Sequence, residues 1–450
     1  MSTASITVEP PIAGAPPPHT SWWRRHLVAL GFVLPASVFL GIWIVYPTVR
    51  TVIRSFYNID GNKFVWFDNY KALFTPFNTH ENIFLKAIEN SAIWVLVVPA
   101  LVTAIGLIFA VLTERVSWSV AFKMAVFMPM AISLFAAGVI WHIMDEQDPQ
   151  HGAVNAAIAM VHDAFVPPGP LADASPSTGA LIGSPTKGLI LKSSLRPGQV
   201  AYLGLTAIPP DQVPHGAMQA ATPAAKAGSI TGVVWRDFRP GGGTPGKVEA
   251  QELGLPGVTV VLKDASGGSA RSTTSGKDGS FTFDGLKAAD YRAGIGAKTF
   301  AKPFGGVSWL GPQLVTPAVI IAYIWVWAGF AMVVIAAGLA AISREVLEAA
   351  RTDGASEWQV FRRVTVPMLA PVLSVVFITM LINVLKVFDI ILSVAPGSTQ
   401  SNATVIALQM WRTSFGGVND FGVGSAIAVF LFLLVVPVLA MNVRRFKREV

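Results

Sequence analysis

The chain of 450 residues is 52% hydrophobic and 13% charged, and its mean hydropathy is +0.55. The charged fraction is about half that of an ordinary soluble domain, so the composition indicates a polytopic membrane protein. The absence of cysteine excludes disulfides, thiolate nucleophiles and iron–sulfur clusters. The net charge of +7 is modest for this length, and no basic face for nucleic acid is visible.

Apolar segments follow a short polar N-terminal region. Residues 1–26 begin with a stretch rich in Pro, Ala, Ser and Thr, which predicts a disordered cytoplasmic tail. A helix that crosses the hydrocarbon needs about 20 mostly apolar residues and satisfies its own backbone hydrogen bonds. The six predicted spans are 27–49, 92–112, 124–143, 315–342, 368–394 and 423–443.

Basic residues in the short loops predict that both termini are cytoplasmic. On the predicted inner side lie Arg24, Arg25, Arg115, Lys123, Arg344, Arg351, Arg362, Arg363, Arg444, Arg445, Lys447 and Arg448. The first outer loop is an exception, because it carries Arg50, Arg54, Lys63, Lys71 and Lys86 together with four acidic residues. The predicted location is therefore a bacterial inner or plasma membrane, crossed several times.

An insertion separates the predicted helices 1–3, within 27–166, from helices 4–6, within 304–450. Residues 167–303 are rich in Gly, Pro, Ser and Thr, and they contain no segment long and apolar enough to span a bilayer. Within them, residues 228–296 alternate apolar and polar side chains in short runs between glycine turns, which predicts an extracytoplasmic β-sandwich. The first half of the insertion has one strand-like stretch, at 199–207.

The loop 343–367 carries small and helix-forming residues at fixed spacing. The motif residues are Glu348, Ala349, Ala350, Asp353, Gly354, Ala355 and Pro367. A compact helix followed by a glycine that can take a positive φ suits a surface element that presses into a partner's groove and then turns away. Pro367 is expected to open the next membrane helix, where its missing N–H costs nothing.

In order and spacing this motif resembles the EAA loop of permease subunits from binding-protein-dependent ABC importers. Shorter matches to the sugar-type permeases, in the order of the larger maltose permease subunit, include 67–70, 90–91, 128–130, 152–155 and 325–330. The resemblance implies a type I importer permease fold: a polytopic α-helical membrane protein of six transmembrane helices, here with an extracytoplasmic all-β insertion. It also implies import of a carbohydrate.

The same resemblance implies the partners of the chain. They are a second permease subunit, an ABC ATPase dimer docked on the 343–367 loop, an extracytoplasmic solute-binding protein and the lipid bilayer. The chain has no G-x-x-x-x-G-K-[ST] pattern, so ATP and Mg²⁺ belong to the ATPase and the permease is not an enzyme.

The insertion resembles the B-type repeats of Gram-positive surface adhesins, which are prealbumin-like β-sandwiches, some of them calcium-binding. The loop 238–243 lacks the expected carboxylates, so a full calcium ligand shell is not expected despite Asp237 and Glu252. A spacer or a docking surface is the favoured role.

Several residues are candidates for the substrate pathway. Asn383, Lys386 and Asp389 lie three apart, which predicts one polar face of the fifth helix, and such residues usually line a cavity or neutralise one another. Trp325 and Trp327 could stack on a sugar ring or serve only in packing.

A metal site is not expected at the histidine and acidic residues beyond the third helix, because they have no recognised ligand spacing. These residues are His142, Asp145, Glu146, Asp148 and His151.

Three alternatives stay open at this point. One is a proton-coupled secondary transporter that uses Asp389, although no internal repeat is visible. Another is an ABC permease for a non-sugar solute such as glycerol phosphate. A membrane-anchored adhesin would need one span rather than six, and no EAA loop.

Overall fold

The computed structural model describes residues 22–75, 82–114, 116–264, 271–417 and 419–449, with side chains from residue 30 to residue 437. The predicted tail as far as residue 21, Arg115 and the basic side chains near both ends lie outside the described residues. The chain divides into two compact units. One comprises Met1–Leu134, Tyr323–Leu392 and Gln400–Val450, and the other comprises Phe135–Ala322 and Ser393–Thr399.

Helices account for most of the chain outside the insertion. They are α1 (Trp22–Leu40), α2 (Tyr46–Arg54), α3 (Asp68–Phe74), α4 (Ile83–Glu114), α5 (Ser119–Phe127), α6 (Leu134–Met144), α7 (Ala153–Phe165), α8 (Val315–Ala340), α9 (Arg344–Thr352), α10 (Glu357–Val360), α11 (Val366–Leu385), α12 (Asp389–Val394), α13 (Gln400–Ala403), α14 (Ile406–Phe415) and α15 (Phe421–Glu449). The first helix begins at Trp22, inside the predicted tail.

Four helical segments of the described chain are long and apolar enough to cross a membrane. They are Leu30–Arg54, Ile83–Glu114, Val315–Ala340 and Glu357–Leu385. The predicted third span is interrupted, because α5 passes into a 3₁₀ turn and the chain is extended at Ile132 before α6 begins. If this broken pair is one span, it is the fifth candidate. The sixth falls on α15, so the count of six stays a prediction.

Two of the membrane helices contain a π-turn directly before a proline. The Tyr46 N–H donates to the Gly41 carbonyl ahead of Pro47, and the Val366 N–H donates to the Phe361 carbonyl ahead of Pro367. A proline cannot donate within a helix, and a longer turn ahead of it lets the helix continue. Pro367 lies in the first turn of α11, as predicted, and the π-turn joins this helix to the preceding turn so that Glu357–Leu385 is continuous.

Close contact between α4 and α8 depends on a glycine. A Cβ at Gly106 would lie 2.5 Å from the Cβ of Ala331 and 3.0 Å from its carbonyl carbon. Both positions are buried. The two backbones thus approach at a distance that only a residue without a side chain allows.

Three of the short sequence matches contain a buried asparagine that holds loops in place. Each side-chain amide donates two hydrogen bonds of 2.7–2.9 Å to backbone carbonyls. The pairs are Asn69 with Ser55 and Tyr57, Asn90 with Asn402 and Thr404, and Asn155 with Glu146 and Val307. Because buried carbonyls need partners, these residues are structural clamps.

The insertion folds as two five-stranded sheets. Its strands are β1 (Ser175–Pro176), β2 (Leu181–Ser184), β3 (Gly188–Leu191), β4 (Val200–Thr206), β5 (Ile230–Arg236), β6 (Leu253–Gly254), β7 (Thr259–Asp264), β8 (Ser272–Thr274), β9 (Ser280–Phe283) and β10 (Tyr291–Ile295). One sheet has the order β1-β4-β5-β6 with β9 beside β5, and the other has the order β2-β3-β10-β7-β8.

Both sheets take strands from the half of the insertion that carried no predicted fold. β4 pairs in parallel with β5, and β3 pairs with β10. The buried side chains of both halves form one core, including Leu203, Val260 and Phe281. The sandwich therefore begins well before residue 228, because pairing partners far along the chain decide which short segments become strands.

The carboxylates considered for calcium bind backbone amides instead. Asp237 accepts a hydrogen bond of 2.6 Å from the Gly246 N–H, and Glu252 accepts one of 2.9 Å from the Glu249 N–H. Glu252 is buried, and this burial raises the pKa of its carboxyl. Within the described chain, no group of three His, Asp or Glu residues is arranged to hold a metal ion.

Candidate functional site

The EAA sequence lies on the exposed helix α9. Glu348 and Ala349 are exposed and Ala350 is half-buried. The helix ends in a Schellman motif, in which the Gly354 N–H donates to the Arg351 carbonyl and the Ala355 N–H donates to the Ala350 carbonyl. The Ala350 and Arg351 carbonyls are thus satisfied without help from another element.

Gly354 supplies the left-handed residue that this ending requires. Its φ is +83°, a conformation that other residues adopt at a cost. No heavy atom lies within 4 Å of the position that a Cβ would take. The glycine is therefore required for backbone conformation and not for space inside the chain.

The following helix begins with a capping box. The Ser356 side chain accepts from the Gln359 N–H, and the Gln359 side chain accepts from the Ser356 N–H. Two hydrogen bonds, of 2.8 and 3.3 Å, join the Arg351 guanidinium to the Glu357 carboxylate. They raise the pKa of Arg351. The pair joins the last turn of α9 to the first turn of the next helix.

A residue that sequence analysis missed stands beside the motif. Trp358 is 66% exposed, and its ring stacks on Phe361 at a centroid distance of 5.6 Å. Large exposed aromatics often anchor protein interfaces. The sequence feature that could have revealed it is a tryptophan among polar residues, four positions after the motif glycine.

The prediction that Asn383, Lys386 and Asp389 share one helical face is wrong. α11 ends at Leu385, Lys386 has φ −111° and ψ 10°, and Asp389 begins α12. The Lys386 N–H still donates to the Asn383 carbonyl, at 3.3 Å. Lys386 is exposed and the other two residues are half-buried. No glycine or proline marks this break, so periodicity alone could not reveal it.

The two tryptophans of α8 lie on different sides of the helix. Trp327 belongs to a row of aromatic contacts, with Trp94 against Tyr323 at 5.3 Å, Tyr323 against Trp327 at 6.0 Å and Trp327 against Phe330 at 5.8 Å. Asp389 interacts electrostatically with Tyr323 of this row. Trp325, two residues from Trp327 and so about 200° around the helix, is 38% exposed. The fold thus brings Trp327 and Asp389 to the same tyrosine.

The histidine and acidic residues at and beyond the end of α6 have separate roles. His142 Nδ1 lies 2.7 Å from the Val394 carbonyl oxygen. Asp145 is buried, and this burial raises the pKa of its carboxyl to about 6, opposed by the charge of His142. Asp148 accepts from the Gln150 N–H and lies 3.2 Å from His151 Nδ1.

Comparison with known proteins decides the family. Residues 279–446 match the family described as the binding-protein-dependent transport system inner membrane component. A putative ABC transporter permease protein of Caldicellulosiruptor is 32% identical over 140 residues, which are 31% of this chain and 99% of that protein. The chain belongs to this family. It is a multi-pass inner-membrane permease of an ABC importer, and it is not an enzyme.

Longer relatives and solved structures agree with this assignment. The permease is 28% identical to an osmoprotective compounds uptake permease of Synechocystis, over 93% of this chain and 98% of that protein. It is also 28% identical to an alpha-glucoside permease of Rhizobium meliloti, over 93% and 82% of the two chains. The crystal structure of a bacterial importer of alginate has the same fold, with a TM-score of 0.54 at 15% identity over 95% of this chain and 97% of that one.

The insertion has a match of its own. Residues 228–302 of the permease match the SdrD B-like domain, as its resemblance to adhesin repeats predicted. The transport-family match begins at 279 and so overlaps this region. The pairing of β9 with β5 and of β10 with β7 assigns residues 280–295 to the sandwich. Membership of the transport family sets aside the proton-coupled and adhesin alternatives.

Proposed function

We propose that the permease imports a carbohydrate and that its 343–367 loop docks on an ABC ATPase. The names of several relatives support the substrate class. One transports alpha-glucosides, and a trehalose/maltose permease of Thermococcus litoralis is 38% identical over 32% of this chain and 49% of that protein. A relative in Thermoanaerobacterium is a probable permease for starch degradation products.

The observation that carries the docking proposal is the exposed helix α9 with its self-contained ending. A helix that satisfies its Ala350 and Arg351 carbonyls through its own Schellman motif can place this end in a groove without leaving those two groups unpaired. Trp358 supplies a large aromatic surface beside it. The Arg351–Glu357 pair would carry movement of α9 into the segment Glu357–Leu385.

The remaining partners follow from this arrangement. Both termini and the docking loop would face the cytoplasm, where an ATPase dimer binds. A second permease subunit would complete the membrane part. The insertion would lie outside the cell as a spacer or a docking surface, on the side where the solute-binding protein delivers its sugar. ATP-driven closure of the ATPase dimer would shift the permease from an inward-facing to an outward-facing state.

Trp327 and Asp389 are the favoured contacts for the substrate. Trp94 and Tyr323 of the aromatic row are buried, whereas the half-buried Trp327 and Phe330 offer ring faces that suit the apolar face of a pyranose. Asp389 offers acceptors for hydroxyl groups. Asn383 and Lys386, near the end of α11, remain candidates at the end of this pathway. Trp325 lies on the other side of α8, away from this row, and is not favoured as a substrate contact.

Docking is tested by co-expression of the permease with its ATPase and its partner permease, followed by purification in detergent. Trp358→Ala should lower the amount of ATPase retained about tenfold, as expected for an interface anchor. Trp66→Ala is the matched control, because Trp66 is 68% exposed but lies on the predicted opposite side. If both variants retain the wild-type amount, Trp358 is not an anchor, and if the wild-type chain retains none, the docking proposal fails.

The substrate class is tested by ATP-dependent uptake into vesicles that contain the complete importer and its binding protein. Labelled maltose, trehalose and glycerol 3-phosphate are compared. We expect uptake of a glucoside, with a lower rate for Trp327→Ala and little change for Trp325→Ala. Uptake of glycerol 3-phosphate alone would contradict the carbohydrate proposal.

A further inference from the structure

A cavity of about 530 Å³ lies at the end of the first membrane segment, between α2, the loop that follows it and the start of α15. Its wall includes Arg50, Thr51, Arg54, Tyr57, Phe421 and Ser425. The volume falls within the range of small-ligand sites. Two guanidinium groups and three hydroxyl groups make its polar wall rich in hydrogen-bond donors.

Arg54 is held in position by the loop beyond α2. It donates hydrogen bonds of 2.6 Å to the Asn58 carbonyl and 2.6 Å to the Ile59 carbonyl. Its guanidinium carbon lies 3.3 Å from the position of a Cβ on Gly61, so a side chain there would crowd the guanidinium. These two bonds use part of the five N–H donors of an arginine. The remaining donors are available to a ligand in a fixed orientation.

Arg50 adds a second positive charge on the same face. It lies one helical turn before Arg54, and like charges at this spacing destabilise a helix. Arg50 is exposed, and neither arginine forms an ion pair with any residue in the described ranges. The acidic groups close by in the chain are engaged elsewhere, since Asp60 accepts from Asn58 and Asp420 accepts from the Gly422 and Val423 amides. An anion between the two arginines would remove the repulsion.

The position of the cavity indicates what carries that anion. α2 ends a candidate membrane span, and α15 begins with an apolar stretch, so the cavity lies at the level of a membrane surface. Val49, Val52 and Ile53, next to the arginines, are exposed apolar residues. Phe421, which is 42% exposed, lines the cavity beside them. A ligand there meets cationic donors at one end and apolar surface at the other.

We propose that this cavity binds the phosphate group of a membrane phospholipid, with Arg50 and Arg54 as the anion-binding pair. The phosphate accepts charge-assisted hydrogen bonds from both guanidiniums. The glycerol and the acyl chains follow the apolar surface of α2 into the hydrocarbon. The lipid neutralises the two arginines and fills the gap between the first and last membrane helices.

The test uses the complete importer complex, washed free of lipid in detergent and titrated with phosphatidylglycerol, with bound lipid counted by native mass spectrometry. Diacylglycerol with the same acyl chains is the comparison without phosphate, and inorganic phosphate is the comparison without a lipid. Arg50→Gln should weaken phosphatidylglycerol binding roughly tenfold. Lys71→Gln is the matched control, because it removes one exposed positive charge from the same region outside the cavity.

We expect wild type and Lys71→Gln to bind phosphatidylglycerol equally, Arg50→Lys to keep part of the affinity, and diacylglycerol not to bind. Unchanged elution of each complex shows that the variants fold. Equal binding by Arg50→Gln would overturn the proposal. Equal binding of diacylglycerol, or displacement of the lipid by an equal concentration of inorganic phosphate, would also overturn it. Failure of the wild-type complex to bind phosphatidylglycerol would also overturn it.

Discussion

Gly354→Ala tests whether the backbone conformation at the end of α9 is needed for docking, because the substitution adds only one methyl group to the loop. A residue with a Cβ at φ +83° pays about 1–2 kcal/mol for the left-handed conformation. No heavy atom lies within 4 Å of the new methyl group, so packing inside the chain adds nothing to this cost. The Schellman ending of α9 would lose a factor of roughly 5–30 in population relative to other turns.

ATPase retention by the purified complex should fall by about the same factor. Gly354→Asn should lower ATPase retention less than Gly354→Ala does, because asparagine adopts the left-handed region more readily than alanine. If the groove of the ATPase simply excludes any side chain at this position, the larger asparagine should lower ATPase retention more than alanine does. The two explanations therefore predict opposite rankings.

Gly257→Ala is the control. Gly257 has φ +73° and no heavy atom within 4 Å of a Cβ, but it lies in the β-sandwich. The substitution should lower stability by a similar amount and leave ATPase retention unchanged. If Gly354→Ala retains as much ATPase as the wild type, the left-handed conformation is not needed for docking. The same conclusion follows if Gly354→Ala retains more ATPase than Gly354→Asn.

Three further predictions concern stability in detergent. Gly106→Leu should lower the thermal midpoint strongly, because a Cβ there already meets Ala331 at 2.5 Å and overpacking costs about 1–3 kcal/mol or more. Asn90→Ala should cost about 1–3 kcal/mol, since it leaves two carbonyl groups without their donor, and denaturation curves measure the loss. Asp145→Asn should raise the midpoint at pH 8 and change it little at pH 4. Burial raises the folded-state pKa of Asp145 to about 6, so the stability from its neutral form is complete below pH 4 and is lost as the pH rises through 6.

Control substitutions and contrary outcomes test the physical reason given for each of these changes. A side chain at Gly397 meets open space, so Gly397→Leu should leave the thermal midpoint unchanged. If it lowers the midpoint as much as Gly106→Leu does, overpacking against Ala331 is not the cause of the loss. Asn62→Ala removes an exposed amide and should be neutral. A gain by Asp145→Asn that is the same at pH 4 and pH 8 would mean that ionisation of the carboxyl is not its cause.

Local signals in the sequence were sufficient for most of the membrane segments and for the motif of the family. Apolar runs predict helices because lipid offers the backbone no partner, and four of the six predicted spans correspond to continuous candidate spans. The spaced EAA motif identified the family that the comparisons confirm. The strand-like stretch at 199–207 became β4, since alternation is also a local property.

Long-range contacts decided the features of the fold and of the candidate sites that local patterns did not predict. The helix ends at Leu385 without a glycine or a proline, and the sandwich recruits β1 to β4 from a segment with little periodicity. Trp358 and the Arg50–Arg54 pair belong to no sequence motif. Exposure distinguishes Trp358, and a shared cavity distinguishes the two arginines. Local patterns in the sequence indicate which segments can satisfy their backbone in lipid and which loop carries the motif of the family. Which strands pair, where a helix breaks and which charges share a cavity follow from contacts between residues far apart in the chain, so these features can be read only from the folded molecule.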